Sequence, residues 1–133
     1  MIFLIQIGIG IGRLYELREK LVIDDVTSLM WQQSGSTNSM VYANAEKYIR
    51  ELNDQRFAGY NDWRLPTLEE AMSLMAPKHH TVFCCDLVFD RKQSQIWTAD
   101  KESAERAWGV HFDYGYCYPY VIANDYFVRA VRS

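Results

Sequence analysis

His79-His80 and Cys84-Cys85 bring two imidazoles and two thiols into one short stretch, and both atom types are good zinc donors. Their spacing works against a site. Tandem pairs do not readily aim four ligands at one ion, and the stretch holds neither a C-x-x-C nor an H-x-x-x-H pair, so a variable loop is expected, with no metal and no other cofactor. Acid–base chemistry fares no better. Asp62, Glu69, Glu70, Asp86, Asp90, Asp100 and Glu102 are plentiful, but nothing marks two of them as a pair with one raised pKa. There is no G-x-S-x-G, phosphate loop or dinucleotide fingerprint, so an enzyme is not expected. Cys84, Cys85 and Cys117 make an odd number of thiols, which leaves at least one without an internal partner and signals no disulfide framework.

Binding chemistry is better represented. A guanidinium fork on Arg64, Arg129 or Arg132 suits a carboxylate or sulfate. A structural role is the stronger expectation, because Trp63 and Leu65 alternate about Arg64 as in a strand whose polar face sends the guanidinium to a backbone carbonyl or to Asp62. The densest cluster is Asp113 to Tyr126, which holds Tyr114, Tyr116, Tyr118, Tyr120, Asn124, Asp125 and Tyr126. Tyrosine gives large contact area at low rotamer cost and Asn or Asp adds adaptable hydrogen bonds, so this segment reads as a recognition surface. The competing expectation is that alternate tyrosines face inward as core, which a two-residue period allows for half of them.

These residues need elements to position them. Gly59-Tyr60-Asn61-Asp62-Trp63-Arg64-Leu65-Pro66-Thr67 dictates a turn into a helix, since Pro66 holds Leu65 extended and Thr67 can form a capping box with Glu70. That helix is expected from Leu68 to about Met75, with Leu68, Ala71, Met72 and Met75 on one face and Pro77 beyond its end. An earlier helix starts at Tyr42, with Ala45, Tyr48, Ile49 and Leu52 at helical spacing and Asn38 or Ser39 as its cap. After Pro77 the pattern is irregular, although Leu87-Val88-Phe89 can plug a core. From Ile96 it alternates: Trp108, Val110 and Phe112 share one strand face, Gly109, His111 and Asp113 the other, and Tyr114-Gly115 turns the chain into the tyrosine-bearing strand. Phe127 to Val131 is expected as the last strand.

The chain has 133 residues, 49% hydrophobic and 23% charged, which suits one domain with a core large enough to need no staples. A formal net charge of −3 supplies no basic field for phosphate backbones, so nucleic acid is not an expected partner. Met1 to Gly12 alternates Gly8, Gly10 and Gly12 with isoleucines, a period that suits a strand. The run is too short to cross a bilayer and carries no Lys or Arg ahead of it or small-residue cleavage site behind it, so neither membrane insertion nor an export signal is expected.

Val26-Thr27-Ser28-Leu29-Met30-Trp31-Gln32, the Gly59 to Thr67 segment, Ile96-Trp97-Thr98, Ala107-Trp108-Gly109-Val110 and Tyr126-Phe127-Val128-Arg129-Ala130-Val131-Arg132 together resemble, in order and spacing, the Lcl C-terminal domain family of collagen-like bacterial adhesins. The resemblance implies an α+β, C-type-lectin-like fold, with two helices on a short, mostly antiparallel sheet and long loops. It places the domain at 23–133 behind an extra segment at 1–22, and makes Trp31, Trp63, Arg64, Pro66, Thr67, Glu70, Trp97 and Trp108 its structural motif. It also favours a cell-surface, periplasmic or secreted location. The same scaffold houses enzymes that generate formylglycine through paired late cysteines, but here Cys117 is alone in that half. The expected function is therefore a non-catalytic module that binds a glycan or protein ligand through Tyr114, Tyr116, Tyr118, Tyr120, Asn124, Asp125 and Tyr126. A sulfated polymer would require Arg91, Lys92 and Lys101 to gather on one side. The alternative is a regulatory or structural domain of a larger bacterial protein, its tyrosines packed against a neighbour.

Overall fold

The computed structural model describes residues 2–7, 13–18, 20–75 and 89–133; His79, His80, Cys84, Cys85, Asp86, Leu87, Val88, Pro77 and the glycines at 8, 10 and 12 lie outside them. In chain order the elements are β1 (Ile2–Ile7), β2 (Arg13–Arg18), β3 (Leu21–Asp24), β4 (Met30–Gln32), α1 (Tyr42–Asp54), α2 (Leu68–Met72), β5 (Gln95–Lys101), β6 (Arg106–His111), β7 (Tyr116–Val121) and β8 (Val131–Arg132). The fold is α+β, as expected, and its strands divide between two antiparallel sheets, β1-β2-β3-β4-β8 and β5-β6-β7. Within the N-terminal run Ile2–Ile7 forms a strand antiparallel to β2, with Ile2 opposite Arg18, and β2 pairs in turn with β3; the glycine alternation expected to form a strand lies outside the described residues.

Helix α1 follows its apolar spacing: Tyr42, Ala45 and Leu52 are buried, and Tyr48 and Ile49 pack half-buried beside them. Neither Asn38 nor Ser39 caps it. Val41 occupies the cap position with no side-chain bond, and the Tyr42 N–H donates instead to the Ile122 carbonyl at 3.1 Å, so a tertiary contact replaces the local one. Helix α2 has the expected capping box: the Thr67 hydroxyl accepts from the Glu70 N–H at 3.1 Å, and the Glu70 carboxylate accepts from the Thr67 N–H at 2.9 Å. It ends at Met72 rather than near Met75. Leu74 and Met75 turn into the tighter i to i+3 pattern, and the Ser73 hydroxyl takes the Glu70 carbonyl, which swings Leu74 fully into the core beside Ala71.

The segment before α2 is pinned rather than laddered. Arg64 makes a single bridge to Val131, so Trp63-Arg64-Leu65 is not a strand. The Asn53 side chain holds both the N–H and the carbonyl of Trp63, at 2.7 and 2.9 Å, and the buried Trp63 indole donates to the Phe57 carbonyl. The Pro66 carbonyl accepts from Ala99 on β5. Arg64 does not reach Asp62, which binds Arg132 at 2.6 and 3.0 Å. It forks onto both oxygens of Glu70 at 2.7 and 2.8 Å, with the Leu65 carbonyl a distant 3.4 Å.

That fork has a pH signature. Arg64 first, then the Thr67 bonds, hold the Glu70 carboxyl below the usual carboxylate range despite burial acting the other way. Its stabilisation is therefore complete above the unfolded carboxylate pKa of about 4.3 and disappears as the pH falls through the lower folded value. Glu70→Gln should lose about 1 kcal/mol at neutral pH and show a flatter acid limb in urea unfolding than the parent.

The C-terminal segment joins the two sheets. Tyr126 bridges Met40, Phe127 lies parallel to Ile96, and only Val131–Arg132 enters a ladder, against β4. The expected strand from Phe127 to Val131 is interrupted because side chains take its inner amides: Val128 donates to the Ser36 hydroxyl and Ala130 to the Gln32 amide oxygen, at 3.0 and 2.8 Å. One core lies between α2 and the sheets around Trp31, Phe89, Ile96 and Val110; a second joins α1 to Trp97, Ala107 and Val128.

Candidate functional site

Register across the three-stranded sheet decides where each tyrosine points. Tyr116 opposes His111, Tyr118 opposes Gly109 and Tyr120 opposes Ala107, while Cys117 opposes Val110 and Pro119 opposes Trp108. Side chains alternate across a strand, so Tyr116, Tyr118 and Tyr120 share a face with His111, Gly109 and Ala107. Cys117 turns the other way, onto the core of Ile96 and Val110. Tyr114 sits in the preceding turn, which closes on Gly115 at φ 73°.

The face is graded from solvent to core. Tyr114, Tyr118 and Tyr116 are 68%, 50% and 43% exposed, whereas Tyr120 and Tyr126 are half-buried. Tyr118 lies 5.3 Å from Tyr120, Tyr120 4.4 Å from Tyr126, and Tyr126 5.0 Å edge-on to the fully buried Trp97. Trp97 meets Tyr42 of α1 edge-on at 5.2 Å, and its indole donates to the Met40 carbonyl. Such edge-to-face contacts add to the burial of the inner rings, so the outer tyrosines stand on a fixed aromatic base. Gly109 is part of that seat. A Cβ there would stand 2.8 Å from the Tyr120 ring, so the missing side chain lets the ring lie against the sheet.

Burial sets the ionisation of the inner groups. It raises Tyr120 far above the ordinary phenol range, with the Tyr116 hydroxyl adding to the effect at 3.5 Å, and it raises Tyr126 as well. Both therefore stay neutral phenols. Burial also lowers His111, with Asp113 opposing it. His111 is 6% exposed, stacks on Tyr116 at 5.4 Å and tilts against Tyr114 at 4.6 Å. The Gln95 amide nitrogen lies 2.6 Å from Nε2, and Nδ1 has no hydrogen-bond partner among the described residues. Sequence reasoning assigned His111 only a strand face. The signal was hairpin arithmetic, since a turn over 112–115 places His111 opposite Tyr116.

Asn124 and Asp125 are exposed in the turn that follows β7, where the Asn124 N–H donates to the Val121 carbonyl, and Tyr126 follows directly. The structure thus brings Tyr114 and Tyr116 together around His111, and Tyr118, Tyr120 and Tyr126 together above Trp97, with Asn124 and Asp125 beyond the far end of the strand.

The arginines serve the fold. Arg129 is 1% exposed and donates to the carbonyls of Gln32, Gln33 and Asp90 and to the Gln93 side chain, with its guanidinium 4.8 Å from the Phe89 ring. Arg132 lies over Tyr60 at 3.9 Å besides binding Asp62. Of the tryptophans in the expected structural motif, Trp31, Trp63 and Trp97 are buried and Trp108 is half-buried. A separate concavity of about 490 Å³ opens between α1 and the Arg64–Thr67 segment, lined by Tyr42, Ile49, Arg50 and Leu65 among others. The Tyr42 hydroxyl donates to the Thr98 carbonyl, and burial, then Glu46 and Asp100, push its pKa up to about 12. Among the described residues no helix is long and apolar enough to cross a membrane.

One family model, described as the Lcl C-terminal domain, matches residues 20–132, nearly the whole chain. No curated protein matches it significantly.

Proposed function

The chain belongs to the Lcl C-terminal domain family, and from that premise we propose that it is a non-catalytic binding module whose ligand face is the tyrosine row of β7 with Tyr114 and Tyr126. The observation that carries this reading is the exposure of Tyr114, Tyr116 and Tyr118 on a face whose deeper layer, Trp97, Ala107 and His111, is buried. A patch of large aromatic side chains held open on a rigid sheet keeps its rotamers ordered before contact, which lowers the entropic cost of binding. Tyrosine is also enriched among the residues that dominate interfaces.

The ligand is a glycan or a protein, because a tyrosine ring stacks on either and its hydroxyl both donates and accepts. Capture on combined glycan and protein arrays tests the proposal. Tyr116→Ser/Tyr118→Ser should abolish capture while lowering stability by only about 1 kcal/mol, the value of the lost ring contacts. Undiminished capture would remove the tyrosine face from the account. Aggregation of the parent domain that this variant relieves, without capture by either, would favour a structural domain packed against a neighbour.

A further inference from the structure

We propose that the occupant of the tyrosine face is a basic segment of a polypeptide, bound across the sheet by arginine and lysine side chains that lie on the tyrosine rings. This deepens the proposed function and rests on it. The first observation concerns charge. Residues 102–126 carry Glu102, Glu105, Asp113 and Asp125 against Arg106 alone, four acids less one base, or −3, as large as the formal charge of the whole chain. The single base is already engaged, because Arg106 donates to the Pro119 carbonyl at 3.0 Å.

Placement matters as much as number. Asp113 lies at the Tyr116 end of β7, close enough to His111 to act on its protonation. Glu105 and Asp125 lie at the other end: the Glu105 carbonyl accepts from Ile122, just past Val121, and Asp125 directly precedes Tyr126. Asp113, Glu105 and Asp125 are all exposed. They bracket a strand of six residues, about 20 Å long, on which the Tyr116 and Tyr118 rings are exposed. Aromatic faces flanked by carboxylates attract guanidinium and ammonium groups and repel sulfate.

The sheet edge points the same way. β7 is an edge strand among the described residues, yet at its middle Pro119 has no N–H to offer and Arg106 covers its carbonyl. An extended peptide cannot pair with the edge at Pro119, which favours engagement of the face through side chains.

The test is a titration of the purified domain with a short oligo-arginine peptide, a glycine-serine peptide of equal length, a heparin fragment and a neutral oligosaccharide. The oligo-arginine peptide alone should bind, with affinity falling about tenfold between roughly 50 and 500 mM salt. Asp113→Asn/Asp125→Asn should weaken it about fivefold, and Tyr116→Ser/Tyr118→Ser, which changes no charge, at least tenfold. Tyr118→Ser alone, at the more exposed ring, repeats the measurement if the double variant misfolds. Oligo-arginine binding that survives loss of the tyrosines is diffuse attraction and overturns the inference. Heparin or neutral-sugar binding that is lost with the tyrosines overturns it too, but leaves the binding face standing. If no probe responds to the tyrosines, both fall together.

Discussion

Gly35→Ala is expected to lower stability by about 3 kcal/mol or more, and the melting temperature by roughly 10 °C. A Cβ at Gly35 would stand 1.9 Å from the Val128 carbonyl oxygen and 2.9 Å from its carbon, which are backbone atoms that cannot rotate away. The contact is close because the chains are tied on each side of it, the Ser36 N–H donating to the Val128 carbonyl at 2.8 Å and the Val128 N–H to the Ser36 hydroxyl. Adding the methyl must therefore part the segment that joins the two sheets. Gly59→Ala is the matched control: nothing lies within 4 Å of its Cβ position, and only its φ of +90° resists, at about 1–2 kcal/mol. Thermal unfolding of the two variants side by side separates steric from conformational cost. Equal losses would mean that the approach of Gly35 to Val128 does not hold the fold.

Arg129→Met should cost about 3–5 kcal/mol although it conserves length and improves hydrophobicity. The guanidinium is the donor for three backbone carbonyls, those of Gln32, Gln33 and Asp90, and for the Gln93 amide oxygen. Gln93 in turn donates to the Ser36 carbonyl at 2.8 Å, so the charge sits at the centre of a buried polar network that links 32–36, 90–93 and the C-terminal segment. Removing it leaves several buried acceptors without their donor. Arg129→Lys should also destabilise by at least about 2 kcal/mol, because one ammonium cannot reproduce a planar fork. Urea midpoints of the three proteins check both values, and a methionine variant as stable as the parent would make the arginine a passenger.

What could be read from the sequence was what neighbouring residues decide. Thr67 and Glu70 stand three apart before an apolar run, and their capping box is present; the period of Ala45, Tyr48, Ile49 and Leu52 gives α1. The alternation of Tyr116, Tyr118 and Tyr120 correctly placed them on one face. What failed was set by residues far away in the chain. Arg64 and Asp62 are neighbours by number, but the return of the C-terminus delivers Arg132 to Asp62 and leaves Arg64 to Glu70. Phe127 to Val131 is expected as the last strand, yet Ser36 and Gln32 supply acceptors that no local pattern reveals. Within the candidate site, His111 escaped notice for the same reason, because its burial comes from rings across a turn and from Gln95 on the next strand. The histidine and cysteine pairs at 79–85 lie outside the described residues and take no part in this account.

The most direct measurement of the binding face is NMR of the domain with labelled tyrosine rings, titrated with the strongest ligand captured on the arrays. The ring signals of Tyr114, Tyr116 and Tyr118 should shift first and furthest, followed by Tyr120 and Tyr126, with Tyr60 unmoved. Shifts confined to Tyr42, which lines the 490 Å³ concavity, with Tyr114 to Tyr126 unchanged, would contradict the account.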